Sequence, residues 1–409
     1  MTERTTAKQQ LESYKNELNE ELRRILKFWT ETACDTAEGG FYGKIDNNNK
    51  ITAGAPKGSV LNARILWAFS AAYNLNQEAA NLELANRAYQ YLISHFIDNQ
   101  YGGVYWMVNY RGEPNDTKKQ VYATAFTIYG LSEFYMASGN EDAKQRAIDL
   151  FYLLVEKAYD PVETGYFEAF SREWGELDNL RLSAKDANEK KTMNTHLHVV
   201  EAFANLYRVW PDKALKSHIE TLLNNFLDHF IDKKTHHLVL FFDEEWNRKS
   251  NLISYGHDIE AAWLLQEAAE VTGDELMIRE VKDAGMLIAK AAIEGLDTDG
   301  GIWYEYEPEE DHLVKEKHWW GQAEAMVGFY NAWQVSGDEK YLGLSINSWL
   351  FTKNNLLDKI NGEWFWGVDE NGQVLPLEDK AGIWKCPYHN SRAGIEIIKR
   401  VREGEGWGR

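Results

Sequence analysis

Cysteine is scarce in this chain: Cys34 and Cys386 are the only two among 409 residues, and they lie far apart. A disulfide framework is thereby excluded, and the pair reads as ordinary reduced thiols of a cytosolic protein. Long hydrophobic runs are missing too, and no stretch approaches the length of a membrane span. The first residues, Met1-Thr2-Glu3-Arg4-Thr5-Thr6-Ala7-Lys8, are polar and lack the apolar core of a secretion signal. A cytoplasmic location is expected. Positive charge is in short supply: 44 Lys and Arg against 64 Asp and Glu leave a formal net charge of −20. Such a chain repels phosphate backbones, which excludes nucleic acid and anionic membranes as partners. A soluble monomer is expected.

What is abundant is apolar and aromatic. The hydrophobic fraction is 44%, ample for a large core, and the chain holds 16 Trp, 21 Tyr and 17 Phe. Aromatic side chains are core by default, but a surplus also suits a pocket that stacks against the flat apolar face of a sugar ring.

The aromatics recur in a pattern. Gly39-Gly40-Phe41-Tyr42, Gly102-Gly103-Val104-Tyr105-Trp106 and Thr164-Gly165-Tyr166-Phe167-Glu168 are its first three copies. His237-Leu238-Val239-Leu240-Phe241-Phe242, Gly300-Gly301-Ile302-Trp303-Tyr304-Glu305 and Gly362-Glu363-Trp364-Phe365-Trp366 complete six. Their spacing is about 61 to 64 residues, with one interval of about 72. Each motif is followed by a loop and two helical patterns. The first of each pair is mostly apolar: Val60 to Ala72, Val121 to Tyr135, Thr195 to Tyr207, Ile259 to Ala269, Ala323 to Trp333, and one after Tyr388. The second is amphipathic; from Asp274 to Lys290, Met277, Val281, Ala284 and Ile288 form one stripe while Arg279, Glu280, Lys282 and Asp283 face elsewhere. Buried helices alternating with half-exposed ones imply an inner and an outer ring. The expected fold is all-α, an (α/α)6 barrel of six helical hairpins with short β-hairpins at one rim, a single domain over 1–409. An open superhelix of helical pairs is the alternative; six repeats in one compact chain favour closure.

In such a toroid all inner helices begin at the same rim, and their first turns converge on one mouth. The polar and aromatic residues of those turns are Arg64, Tyr122, Asn194 with His198, His257 with Glu260, Trp319 and Trp320 with Glu324, and Trp384 with His389. The fourth is the most telling. In Ser254-Tyr255-Gly256-His257-Asp258-Ile259-Glu260-Ala261-Ala262-Trp263 a helix apolar on almost every side carries His257 and Glu260 three residues apart, on one face. An ionisable pair is expensive to keep dry and is a candidate for chemistry. An acid/base histidine oriented by a carboxylate explains the pair; so would a metal site, but no compelling further carboxylates at helical spacing appear beyond Glu324. Arg64 reads either as one half of an ion pair with Glu260 or Asp186, or as a donor to a developing oxyanion. Asn194 and His198 share a helix face, whereas His196 points elsewhere and reads as structural. His389 follows Pro387, which suits a helix start, and a capping or exposed loop role stays open for it. Trp319 and Trp320 are adjacent and cannot share a face, so at least one looks into the mouth.

Four stretches carry a resemblance along essentially the whole chain: Met193-Asn194-Thr195-His196-Leu197-His198, Gly256-His257-Asp258-Ile259-Glu260-Ala261, His318-Trp319-Trp320-Gly321-Gln322-Ala323-Glu324 and Trp384-Lys385-Cys386-Pro387-Tyr388-His389. With them the sequence resembles the cellobiose 2-epimerases of the wider N-acylglucosamine 2-epimerase superfamily. The resemblance implies the same (α/α)6 barrel, a disaccharide substrate, and no cofactor or metal. It implies that Arg64, His198, His257, Glu260 and His389 are catalytic, and that Tyr122, Asp186, Asn194, Trp320, Glu324 and Trp384 touch the sugar. The implied reaction interconverts glucose and mannose at the reducing end of β-1,4-linked disaccharides such as cellobiose and lactose, giving epilactose from the latter. The sugar ring opens, a histidine removes the C2 proton, an enediolate forms, and the proton returns on the opposite face. His257 and His389 would flank the carbon, or one base would act while the C2–C3 bond rotates. The alternatives are an aldose–ketose isomerase or N-acylglucosamine 2-epimerase of the same superfamily, a glycoside hydrolase using Glu260 and Glu324, and a sugar-binding protein without chemistry.

Overall fold

The computed structural model describes residues 3–404. Its helices, in chain order, are α1 (Glu3–Glu31), α2 (Ser59–Asn76), α3 (Ala79–His95), α4 (Val121–Ser138), α5 (Glu141–Lys157) and α6 (Met193–Val209). They continue with α7 (Lys213–Asn225), α8 (Tyr255–Thr272), α9 (Glu275–Ala292), α10 (Trp319–Ser336), α11 (Glu339–Asn355) and α12 (Tyr388–Gly404). The apolar pattern decides which ring each one joins. In α8, Ile259, Ala261, Ala262, Trp263, Leu264, Leu265, Ala268 and Ala269 are all buried, on every side of the helix, before it closes on left-handed Gly273. In α9, Asp274 caps the first turn by accepting from the N–H groups of Leu276 and Met277, and only Val281, Gly285, Ile288, Ala289, Ala291 and Ala292 are buried. Each buried Leu or Ile of the inner ring contributes about 1.5–3 kcal/mol, so the ring is the main source of stability.

The even-numbered helices pack side by side in the order α2, α4, α6, α8, α10, α12, and α12 returns to α2, closing the ring. Packing is tight: a Cβ on Gly328 of α10 would lie 2.5 Å from the carbonyl oxygen of Ile259 on α8, so the two backbones meet where only glycine fits. The outer helices α3, α5, α7, α9 and α11 each pack on the inner helix before them. The sixth pair departs from the pattern expected of the sequence. Only one helix, α12, follows the last aromatic motif, and its outer partner is α1 from the other end of the described chain. Tyr14 to Ser345 (3.1 Å), Trp349 to Glu17 (2.8 Å) and Trp364 to Glu21 (2.9 Å) fasten α1 to its neighbours.

The rim strands are short. In chain order they are β1 (Lys57–Gly58), β2 (Met107–Val108), β3 (Pro114–Asp116), β4 (Lys119–Gln120), β5 (Ala169–Phe170), β6 (Lys191–Thr192) and β7 (Phe241–Phe242). They go on as β8 (Ile253–Ser254), β9 (Glu305–Glu307), β10 (His312–Val314), β11 (Glu316–His318) and β12 (Gly367–Asp369). Strands β1, β4, β6, β8 and β11 lead directly into inner helices and pair antiparallel with β2, β5, β7, β9 and β12 of the next repeat. The aromatic motifs themselves form single bridges one step earlier, such as Ile97 to Val104 and Leu357 to Trp364.

A buried ion pair recurs at these junctions. Lys57 meets Asp35, Lys119 meets Asp98 and Lys191 meets Asp160, each at 2.8 Å, and Lys380 meets Asp358 at 2.6 Å. The aspartate sits in the turn before an aromatic motif and also caps backbone N–H groups there, as Asp160 does for Val162 and Glu163. Lys57, Lys119 and Lys191 come from the strand ahead of an inner helix, and Lys380 from the segment ahead of α12. In these repeats the pair pins the turn to the approach of the helix that faces the axis. No helix among the described residues is long and apolar enough to cross a membrane.

Candidate active site

A cavity of about 450 Å³ opens at the rim where the inner helices begin. All six contribute to its wall: Arg64 from α2, Tyr122 from α4, Asn194 and His198 from α6, His257 and Glu260 from α8, Trp319 and Trp320 from α10, and His389 from α12. Trp384 lines it from the segment ahead of α12, and Asp186 from the loop between β5 and β6. That loop, with Arg181, Leu182 and Lys185 also on the wall, accounts for the one long interval between aromatic motifs.

The three histidines share a design. His198 Nδ1 lies 2.8 Å from Glu201 Oε2, and His389 Nδ1 lies 2.7 Å from Glu324 Oε1. A carboxylate only accepts, so both imidazoles donate from Nδ1 and keep the lone pair on Nε2. His257 Nδ1 is engaged by Ser254 Oγ at 2.7 Å. In all three Nε2 has no hydrogen-bond partner among the described residues. Burial, with His198 nearby, holds His257 down to about 3; burial also carries His389 well below the ordinary histidine range and lowers His198 against the opposing pull of Glu201. Three neutral imidazoles therefore face one cavity.

Behind them sits a residue the sequence reading missed. Arg392 is 1% exposed and gathers three carboxylates: its Nη2 lies 2.6 Å from Oε1 of both Glu260 and Glu324, and its Nη1 binds Glu201 and the Tyr388 hydroxyl. Against the burial that raises it, Arg392 and the His198 hydrogen bond bring Glu201 down to about 2. Ligand atoms of Glu260, Glu324 and His389 lie within 4.8 Å of one another, a spacing that would suit a metal ion. The guanidinium already stands there as the cation.

Several expectations change at this point. Glu260 does not orient His257, which is held by Ser254; its carboxylate turns instead to Arg392, 3.9 Å from His389 Nδ1. Glu324, expected to touch sugar, is spent on His389, Arg392 and Trp263 Nε1 and does not line the cavity. Arg64 forms an ion pair with neither Glu260 nor Asp186: it donates to the Tyr122 hydroxyl (2.7 Å) and the Trp384 carbonyl (3.4 Å), with its plane over Phe126. Its Nε is buried without a partner, as are Asn194 Oδ1 and Trp319 Nε1. Stranded polar atoms cost about 1–3 kcal/mol each, and these three belong to residues that line one cavity, so a polar ligand there would repay them. Asp186 keeps an oxygen on the Ser183 N–H at 2.8 Å. Trp320 lies 4.6 Å from His257 and 6.0 Å from His389, ring centre to ring centre. Trp384 packs on Trp106 at 5.6 Å. His196 is structural, accepting from the Tyr166 N–H (2.9 Å) and bonding the Thr192 carbonyl (2.7 Å).

Further wall residues went unnoticed in the sequence. Glu168 is buried, accepts from the hydroxyls of Thr192 (2.7 Å) and Thr195 (2.8 Å), and is pushed up to about 8 by burial. Tyr304 and Trp366 add aromatic surface. Glu168 and Trp366 both lie inside aromatic motifs, which was the available signal; Arg392 gave a fainter one, a lone cation one turn after His389.

Neutral imidazoles beside a guanidinium and aromatic walls, at the mouth of a helical toroid, suit an enzyme that acts on carbohydrates. The family model for N-acylglucosamine 2-epimerase (GlcNAc 2-epimerase) matches residues 40–393. The cellobiose 2-epimerase of Bacteroides fragilis is 50% identical over 388 residues, 95% of this chain and 99% of that one. That of Dictyoglomus turgidum is 38% identical over 96% of this chain and 100% of its own. Among solved structures, the cellobiose 2-epimerase of Bacillus thermoamylovorans superposes with a TM-score of 0.91 at 41% identity, covering 95% of this chain and 100% of the other. The chain belongs to the N-acylglucosamine 2-epimerase family, among its cellobiose 2-epimerases, and is an epimerase.

Proposed function

We propose that this enzyme reversibly inverts C2 of the reducing-end glucose of β-1,4-linked disaccharides, with cellobiose and lactose as substrates. The observation that carries the reading is the set of three imidazoles whose Nδ1 atoms are occupied and whose Nε2 atoms have no hydrogen-bond partner among the described residues. A C2 proton becomes removable only beside a carbonyl, so the pyranose ring must first open. His198, anchored by Glu201, is assigned to moving the ring-opening proton. His257 and His389 are assigned to C2, one removing the proton and the other returning it to the opposite face; positioned acid/base groups typically supply about 10²–10⁴-fold. The charge that develops on the former carbonyl oxygen is met by Arg64, whose spare donors need no rearrangement at the moment of reaction. Trp320 and Trp384 supply flat faces for the sugar, and Asn194 and Asp186 its hydroxyl partners.

The hydrolase alternative fits poorly. A pair of catalytic carboxylates stands about 5–5.5 Å apart in retaining enzymes and about 6.5–9.5 Å apart in inverting ones. Glu260 and Glu324 are closer than either, with ligand atoms within 4.8 Å, and share one guanidinium.

In D₂O, cellobiose and lactose should give 2-epimers carrying deuterium at C2, followed by NMR; product free of solvent deuterium would count against exchange at these bases. His257→Asn and His389→Asn should each lower epimerisation by at least about 10³-fold with an unchanged circular dichroism spectrum. Full activity in either variant removes that residue from the mechanism. A panel of cellobiose, free mannose and N-acetylglucosamine separates this substrate class from those of the monosaccharide branches.

A further inference from the structure

Glu260 has a setting unlike that of the other two carboxylates around Arg392. Glu201 is engaged through both oxygens, by His198 on one and by Tyr388 and Arg392 on the other. Glu324 is likewise engaged through both, by His389 and Arg392 on Oε1 and Trp263 on Oε2. Glu260 receives a hydrogen bond on Oε1 alone, from Arg392, and its residue lines the cavity. Its Oε2 takes no hydrogen bond from the described residues.

Charge makes the difference matter. The groups that face Glu260 are Glu201 on α6, Glu324 on α10, Tyr388, His389 and Arg392 on α12, Arg64 on α2 and Tyr122 on α4, while His198 and His257 line the same cavity. With the imidazoles and phenols neutral, three carboxylates confront two guanidiniums. Two carboxylates sharing one cation in a dry site do not both ionise freely, because each raises the cost of the other's charge. Glu324 donates nothing and accepts from three N–H groups, so it is the member that keeps its charge.

We propose that Glu260 is a neutral carboxylic acid in the resting enzyme, and that its Oε2–H is a hydrogen-bond donor to the substrate oxygen on which charge develops. With Glu260 protonated, Glu201 and Glu324 balance Arg64 and Arg392, and the cluster carries no net charge. Burial, reinforced by the neighbouring Glu324 carboxylate, pushes Glu260 up to about 8, in accord with this assignment. The proton stays with Glu260 throughout; it strengthens its bond to the enediolate oxygen and is not transferred. The role in turnover rests on the epimerase reading, but the protonation state does not.

Difference infrared spectroscopy of the full-length enzyme without substrate tests the state directly. At pH 6 the spectrum of the wild type minus that of Glu260→Gln should show a buried protonated-carboxyl band that fades as pH rises through about 8; Glu168, also pushed up to about 8, absorbs in both proteins and cancels. Absence of a band from that difference overturns the assignment. Glu324→Gln removes the neighbouring charge, so the band should fade at a pH lower by about one unit or more; no displacement would overturn the shared-site argument. Turnover gives a second reading: Glu260→Gln, which keeps a neutral donor, should retain at least about tenfold more activity than Glu260→Ala, and wild-type activity should fall as pH rises through about 8 while that of Glu260→Gln does not. Equal loss in the two variants overturns the donor role. Because the band needs no substrate, a failed epimerase assignment would leave the infrared result intact.

Discussion

At the scale of single residues, the site keeps its imidazoles uncharged. His257 is brought to about 3 and His389 well below its ordinary range, so in the folded protein both stay neutral where the unfolded chain would protonate them. Between about pH 6.5 and 3 the unfolded state therefore binds more protons, and stability falls as pH falls through that window. Glu260 acts in the opposite sense: its folded-state value is about 8 against 4.5 in the open chain, so stability falls as pH rises between them. Urea denaturation across the pH range should show greatest stability where the two windows meet, near about pH 6, and a midpoint that rises steadily toward pH 4 would contradict it. His257→Asn should flatten the acid side. The histidines were legible because each stands at a helix start in the sequence. Arg392 and Glu201 were not, because their meaning lies in partners across the barrel axis, such as Glu260 and Tyr388, that no local pattern brings near.

Elements were read more easily than contacts. The apolar runs located the inner helices, and the amphipathic stripe of α9 its exposed face. What the pattern hid was how each inner helix is aimed. Ahead of α2, α4 and α6 a buried lysine does that, and its aspartate partner sits in a turn where Asp is also ordinary capping chemistry, so its second role left no trace. Lys191 is the instructive case: fully buried, it donates to Asp160 (2.8 Å) and the Glu244 carbonyl (2.7 Å), two residues ahead of the α6 turn that bears Asn194 and His198. Lys191→Met strands the Asp160 charge and should cost about 3–5 kcal/mol, measurable as a lower midpoint in chemical denaturation. Its activity should fall more than that of a variant at exposed Lys234, since the start of α6 loses its anchor.

For the molecule as a whole, closure of the ring depends on the pairing of α1 with α12. Counting repeats suggested six self-contained hairpins; five are, and the sixth is assembled from the two ends of the described chain. A periodicity argument sees neighbours in sequence and is blind to a pair so distant. A chain lacking residues 1–31 would expose the apolar side of α12, with Ile397, Ile398 and Val401, and would loosen the helix that carries His389 and Arg392. Such a truncation should lose epimerisation and the sharp calorimetric transition together, whereas the intact chain should melt in one step. A truncated form that melts sharply and keeps its activity would show that the ring closes without α1. The same pairing sets a timetable during synthesis. Synthesis runs from α1 to α12, so α1 waits through the production of the other described helices before its groove exists. A nascent chain cannot begin turnover until α12 has emerged.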